Sequence, residues 1–175
     1  MHIFLQGNRG VGKSTVIRKT LEMLGERMEV SLGGFFTWNG GENDPNVYLK
    51  AARPDIGGEA HRVAYYDAAA RRMICDKNVF ESAGARILDE SAYADLILMD
   101  ELGYLESDAE TFKKTVMKTL AGEAPVLGVL RLGDVPWHDG IKNDKRVTIY
   151  DVNEKTRDTL PRVLSGMIFK DLNGA

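Results

Sequence analysis

Apolar positions along this chain fall into short unbroken runs that alternate with longer stretches of helical spacing. His2-Ile3-Phe4-Leu5-Gln6 is a compact run suited to a buried strand, and from Ser14 to Leu24 the positions Val16, Ile17, Leu21 and Leu24 share one side of a helix. Met28 to Thr37 reads as a second strand, interrupted by Gly33-Gly34 and ending in Phe35-Phe36-Thr37, and Trp38 to Pro45 is dense in turn residues. Val47 to Ala51 and Arg62 to Tyr66 are short strand-like runs around a glycine turn at Gly57-Gly58. Together they predict an antiparallel hairpin on one flank of the main sheet.

Helical spacing returns from Val79 to Tyr93, where Phe80, Ala83, Ile87 and Leu88 make an apolar side. Leu96-Ile97-Leu98-Met99 is wholly apolar, as a strand covered on both faces would be, and it runs into Asp100-Glu101. Asp108 is placed to cap a helix reaching about Leu120, and Pro125 to Leu130 is the next buried strand. A polar loop follows from Gly133 to Lys145, then a last strand at Val147 to Tyr150 and a final helix capped by Asn153, with a break at Pro161. This order predicts one α/β domain over residues 1–175, its mainly parallel sheet covered by helices on both faces, with an antiparallel hairpin extension.

Composition changes that picture little. The 175 residues are 43% hydrophobic and 28% charged, ordinary for a globular protein able to bury a core, and the net charge of -3 argues against general nucleic-acid binding. The single Cys75 cannot close an internal disulfide, and within Met73-Ile74-Cys75 it reads as a small buried hydrophobe. The first residues lack the basic flank and long apolar core of a signal peptide, and no apolar run is long enough to span a membrane, so a cytoplasmic protein is expected.

Chemistry concentrates between the first strand and the first helix. Gly7-Asn8-Arg9-Gly10-Val11-Gly12-Lys13-Ser14 fits G-x-x-x-x-G-K-[ST], the phosphate-binding loop, in its required strand-loop-helix setting. A polyphosphate needs several donors converging on its oxygens, and Gly7, Gly10 and Gly12 let the backbone approach. The N–H groups of the loop, with Thr15 at its end, then form an anion-binding nest at the positive end of the helix. Lys13 would reach the β- and γ-phosphates as a point charge, and the Ser14 hydroxyl would complete the shell of a bound Mg²⁺. Arg9 touches phosphate or is an exposed loop arginine; the sequence leaves both open.

The acids at the end of the strand from Leu96 to Met99 complete the site, because open parallel sheets bind ligands at the carboxyl ends of their strands. Asp100 would hold Mg²⁺ directly or through water, and Glu101 would polarise the attacking water as general base. The alternative is an acidic turn without chemistry.

At these residues the chain resembles the THEP-type P-loop nucleoside triphosphatases, the family that includes the cancer-related nucleoside triphosphatase. The family's G-x-x-G-V-G-K-T-T is similar to Gly7 to Thr15, its G-F-[YF]-T to Gly34-Phe35-Phe36-Thr37, and its D-E-I-G-K-M-E to Asp100-Glu101-Leu102-Gly103-Tyr104-Leu105-Glu106. Weaker matches are Phe80-Glu81 and Asn153-Glu154-Lys155-Thr156-Arg157. The resemblance implies the three-layer P-loop NTPase fold and Mg²⁺-dependent hydrolysis of ATP, GTP and other nucleoside triphosphates, with loose base selectivity. Tyr104 stands where the family has lysine, and no arginine follows Thr37.

Other residues divide between two readings each. Arg131, just past a strand end, would stabilise charge near the γ-phosphate or form an ordinary salt bridge. Trp137-His138 would stack on a base or anchor the polar loop at the surface. His2, His61 and His138 show no metal-ligand spacing, and Met23, Met28, Met73, Met99, Met117 and Met167 read as core filler. A small kinase, with Glu101 serving a substrate hydroxyl and Gly133 to Lys145 acting as a lid, is the second functional reading. A slow nucleotide-dependent switch is the third. No protein partner is indicated.

Overall fold

A computed structural model describes residues 1–53 and 58–174. Its strands are β1 (His2–Gln6), β2 (Leu32–Gly41), β3 (Asp44–Ala51), β4 (His61–Asp67), β5 (Arg72–Cys75), β6 (Leu96–Leu102), β7 (Val126–Leu130) and β8 (Val147–Asp151). They form one sheet in the order β5-β4-β3-β2-β6-β7-β1-β8. From β2 to β8 all neighbours run parallel, whereas β3, β4 and β5 add antiparallel to the β2 edge. The extension is thus three strands, one more than the expected hairpin, because Arg72–Cys75 pairs with β4. The turn expected at Gly57-Gly58 lies partly outside the described residues.

Alternation along the parallel strands separates two cores. Ile3, Leu5, Leu98, Leu127 and Val129 point to α1 (Lys13–Gly25) and α6 (Leu160–Leu172), meeting Val16, Ile17, Leu24, Leu164 and Ile168. Phe4, Phe35, Ile97 and Met99 point the other way. There they meet Phe80, Ile87 and Leu88 from α2 (Lys77–Val79), the π-helical turn Phe80–Gly84 and α3 (Ala85–Glu90), and Phe112 and Val116 from α4 (Glu110–Ala121). Phe112 ties this face together, 5.6 Å from Phe35 and 5.2 Å from Phe80 between ring centroids.

Several expected boundaries shift for local physical reasons. The turn expected over Trp38 to Pro45 shrinks to Glu42-Asn43, since β2 and β3 pair as far as Gly41 and Asp44, with Trp38 stacked on Tyr48 across the ladder at 5.5 Å. Val30 and the residues before it stay outside β2, which starts at Leu32. Asp108 does not cap α4: the carboxylate of Glu81 accepts from the Thr111 N–H at 2.8 Å instead. Asn153 caps a separate turn, accepting from Lys155 and Thr156, and Pro161 sits in the first turn of α6, where its missing N–H costs nothing. Met23 is 38% exposed rather than core.

Gly34 lets β2 lie against β6 where a side chain would clash. Its φ is +82°, a Cβ there would collide with the Leu98 carbonyl oxygen, and its N–H donates to Ser91 Oγ at 2.6 Å. Gly34→Ala is therefore expected to cost roughly 3 kcal/mol or more, summing left-handed strain and overpacking. Urea unfolding of the two proteins measures it, and a loss below about 1 kcal/mol would contradict the packing described.

Candidate functional site

The phosphate loop joins β1 to α1 at the carboxyl end of the sheet. Gly7, Gly10 and Gly12 have φ of +151°, +77° and +106°, conformations rarely open to other residues. A Cβ at Gly7 would also strike the Val152 carbonyl oxygen just past β8. Gly12 opens α1 with no side-chain cap, and the first turn carries no acid, so nothing competes with an anion for its N–H groups. Lys13 lies back along the loop and donates from Nζ to Gly7 O at 2.8 Å and Asn8 O at 3.1 Å. Asn8, Arg9, Ser14 and Thr15 are exposed, and Val11 is half-buried against the α1 core face.

The strand order brings the second half of the site from two strands away. Between Met99↔Gly128 and Leu102↔Leu130, β6 inserts one extra residue relative to β7, a bulge that falls on Asp100 and Glu101 and re-aims them. The peptide bond between them is cis. Asp100 lines the same cleft as Lys13 and Ser14, both of which favour its ionised form, so the acidic strand and the phosphate loop face each other. Burial raises Asp100 to about 6, with Ser14 and Lys13 opposing and Glu101 reinforcing that shift. A carboxyl that resists ionisation on its own, beside a hydroxyl, is a hard-oxygen pair suited to Mg²⁺ held by few protein ligands and the substrate's phosphates. No group of three His, Cys, Asp or Glu among the described residues forms a metal cage.

Glu101 turns elsewhere. Its N–H donates to Thr37 Oγ1 at 3.2 Å, and its carboxylate faces Arg131 Nη1 at 3.5 Å. Arg131 leaves the end of β7, the strand between β1 and β6, and its guanidinium rests 4.6 Å from the centroid of Tyr104. A cation thus returns beside the position where the family lysine is replaced by Tyr104. Of the two readings for Arg131, the salt bridge is present and it lies in the cleft.

A clamp holds the turn after β6. Gly103 donates its N–H to the carboxyl of Glu106, and its carbonyl accepts from Trp137 Nε1 at 2.9 Å. A Cβ on Gly103 would sit 3.1 Å from Arg131 Cδ, so glycine lets the arginine stem pass. Trp137 does not line the cleft, and through its hydrogen bond to Gly103 it anchors its segment to the turn after β6. It opens α5 (His138–Lys142), whose His138 and Ile141 are fully buried, so the segment expected as a polar loop is pinned to the core.

Glu106 was legible only as a motif match. It is 2% exposed, and burial pushes its carboxyl up to about 7, with the N–H groups of Gly103 and Glu106 opposing, Glu101 adding and Arg131 subtracting. Between 4.5 and 7 the folded protein holds a proton that the unfolded chain releases, so wild-type stability falls as pH rises through that window. Glu106→Gln lacks this loss. Its stability relative to wild type is expected to improve by about 3 kcal/mol from pH 4 to pH 8, read from urea midpoints, and a flat difference would contradict the burial assigned.

These elements enclose a cleft of about 910 Å³, lined by the phosphate loop, Asp100, Glu101, Glu106 and Arg131 and, unforeseen, by Thr37, Trp38, Asn39 and Asp44 of the β2–β3 hairpin. The hairpin was hidden because its glycines, Asn and Pro45 read as loop. Met73 also faces this cleft. Cys75 donates to the Leu105 carbonyl at 2.6 Å, and burial raises its thiol to about 11, a structural cysteine.

Among the described residues no helix is long and apolar enough to cross a membrane. Relatives agree with the geometry. The chain is 30% identical over 165 residues to the nucleoside-triphosphatase THEP1 of Thermotoga maritima, covering 91% of each, and 28% identical over 182 residues to that of Natranaerobius thermophilus, covering 98% of each. Its fold is similar to that of THEP1 from Aquifex aeolicus, with a TM-score of 0.76 at 20% identity over 96% of this chain and 99% of the other. It is also similar to the human cancer-related nucleoside triphosphatase, with a TM-score of 0.73 at 22% identity over 95% and 96%. The profile of the NTPase family matches residues 2–164, and with a phosphate loop joined to an acidic strand end in this sheet order, the chain belongs to the NTPase family.

Proposed function

We propose that this protein hydrolyses nucleoside 5′-triphosphates, ATP and GTP among them, to the diphosphate and phosphate with Mg²⁺ as cofactor. The observation that carries the reading is the convergence of Lys13, Ser14 and Asp100 on one cleft, which brings the phosphate loop to the acidic strand while Glu101 turns to Arg131. The loop N–H groups and Lys13 bind the triphosphate and neutralise charge developing on it. Ser14 and Asp100 would hold Mg²⁺, which when bound would supply further neutralisation of the phosphate charge. Glu101 orients a water in line with the γ-phosphorus and takes its proton; Arg131, beside it, offsets charge on the transferred group. The names of the THEP1 relatives support the same reaction class.

Phosphate release from ATP, with Mg²⁺ and with chelator, tests the reading directly, and activity unaffected by chelation would overturn the metal assignment. A triphosphate panel adds a second expectation. Many backbone donors hold phosphate, while no base-reading motif is present in the sequence, so ATP and GTP are expected to have kcat/KM values within about tenfold, roughly 1.4 kcal/mol. A thousandfold preference for one base would refute this.

A further inference from the structure

The cleft extends well past the γ-phosphate. Strand order fixes its geography: Val152, beneath Gly7, and Arg157, nearest Gly12, mark the β8 side of the phosphate loop, and Asp100 and Glu101 mark the β6 side. A triphosphate whose γ end meets Lys13, Asp100 and Glu101 directs its nucleoside toward β8. From β1 to β2 is a further distance of three strand spacings, about 14 Å, and the cleft spans it. Its far end is walled by Trp38, Asn39, Asp44 and Val47 of the hairpin, Met73 of β5 and Phe80 of the π-helical turn.

That far end is built for a second molecule. Trp38 at this end, and Tyr104 and Leu132 on the approach to it past β6 and β7, remain 36%, 49% and 53% exposed although large and apolar, and all three line the cleft. Met73, Val47 and Phe80 continue the apolar wall, with Asn39 and Thr37 as neutral hydrogen-bonding groups. The charges exclude one class of ligand. Asp44 and Glu101 bring carboxylates, and among the described residues lining this end Arg131 is the only cation and is already paired with Glu101. The Tyr48 hydroxyl and Asn46 hold the Asp44 carboxyl below its usual range, so it stays ionised. A phosphorylated ligand would meet repulsion there.

We propose that this chamber is a phosphoryl-acceptor site for an uncharged or cationic ring-bearing alcohol, to which the γ-phosphoryl group is passed in preference to water. The proposal rests on the nucleotide reading of the phosphate loop given above. In the transfer, the acceptor oxygen forms a bond to the γ-phosphorus, the bond from that phosphorus to the β-bridging oxygen breaks, and the hydroxyl proton passes to the Glu101 carboxylate and on to solvent. The products are the nucleoside diphosphate and a phosphate monoester, with no change of oxidation state. Water takes the place of the alcohol when the chamber holds none, which is the hydrolysis already described.

The test follows γ-labelled ATP with Mg²⁺ in the presence of adenosine, thymidine or pyridoxine, each beside its 5′-phosphate, separating labelled ester from labelled phosphate. At least one of the three alcohols is expected to take label about tenfold faster than water does, and its 5′-phosphate at least about tenfold more slowly than the alcohol. Asn39→Ala, at an exposed position, and Val47→Trp, which fills the chamber, are each expected to lower transfer about tenfold while hydrolysis without acceptor stays within about twofold. Label passing only to water with all three alcohols overturns the acceptor site and leaves the hydrolase reading standing. Equal transfer to the 5′-phosphates overturns the charge argument and with it the proposal. Loss of both transfer and hydrolysis in the wild type would count against the nucleotide reading itself.

Discussion

Lys13→Ala is expected to lower kcat/KM for ATP by at least about 10³-fold while leaving the thermal midpoint within about 2 °C of wild type. The two halves of that expectation have separate physical grounds. Lys13 supplies a side-chain ammonium inside the loop, with Nζ held by the carbonyls of Gly7 and Asn8 at the mouth of the nest, so its loss removes a point charge from the triphosphate in both ground and transition states. Those two carbonyls border an open cleft and can turn to water, so the fold loses little. Lys13→Arg is expected to fail as well, because a planar fork does not reproduce a compact ammonium in a loop fitted to one. Steady-state kinetics beside circular dichroism melts would decide it. A variant retaining near-native kcat/KM would remove the phosphate-loop assignment altogether.

Glu101→Gln is expected to keep nucleotide and Mg²⁺ affinity, since the amide is nearly isosteric, yet to lower kcat by about 10²- to 10⁴-fold through loss of the base. The structure strengthens the separation between this acid and its neighbour. Asp100 faces Ser14 on α1, whereas Glu101 meets Arg131 just past the end of β7, so the two carboxyls face different partners despite adjacent positions. Breaking the Glu101–Arg131 pair should barely affect stability: at 3.5 Å, with the side chains 32% and 42% exposed, it is a solvated contact worth about 1 kcal/mol or less. A loss of turnover in Glu101→Gln is therefore chemical. Asp100→Asn is expected to weaken Mg²⁺-dependent binding and turnover together. Titration calorimetry with a non-hydrolysable ATP analogue, beside single-turnover hydrolysis, separates the two. Native-rate hydrolysis by Glu101→Gln would show that this carboxylate is not the base for water.

By itself the sequence determined what local chemistry controls. The glycine spacing of the phosphate loop requires positive φ, which only glycine supplies freely, and Gly7, Gly10 and Gly12 adopt it. Unbroken apolar runs at Ile3 to Leu5 and Leu96 to Met99 suit strands covered on both faces and form β1 and β6, and helical spacing placed Val16, Ile17 and Leu24 on a buried stripe. Gly34, in the stretch similar to the family's G-F-[YF]-T, sits where a Cβ would strike the Leu98 carbonyl of β6. Tertiary structure decided the rest, because long-range pairing overrides local preference. The stretch from Trp38 to Pro45 reads as a turn from its own residues, and all of it but Glu42-Asn43 becomes strand because β3 lies opposite and stacks Tyr48 on Trp38. Gly133 to Lys145 reads as a polar loop, yet Ile141 and His138 find the core and Trp137 finds the Gly103 carbonyl, contacts separated by more than thirty residues in the chain. Arg131 and Tyr104 share no motif, and only the insertion of β7 between β1 and β6 sets one over the other. The far half of the cleft has no linear signature at all, since its walls come from β2, β3, β5 and the π-helical turn, and only sheet order makes them neighbours.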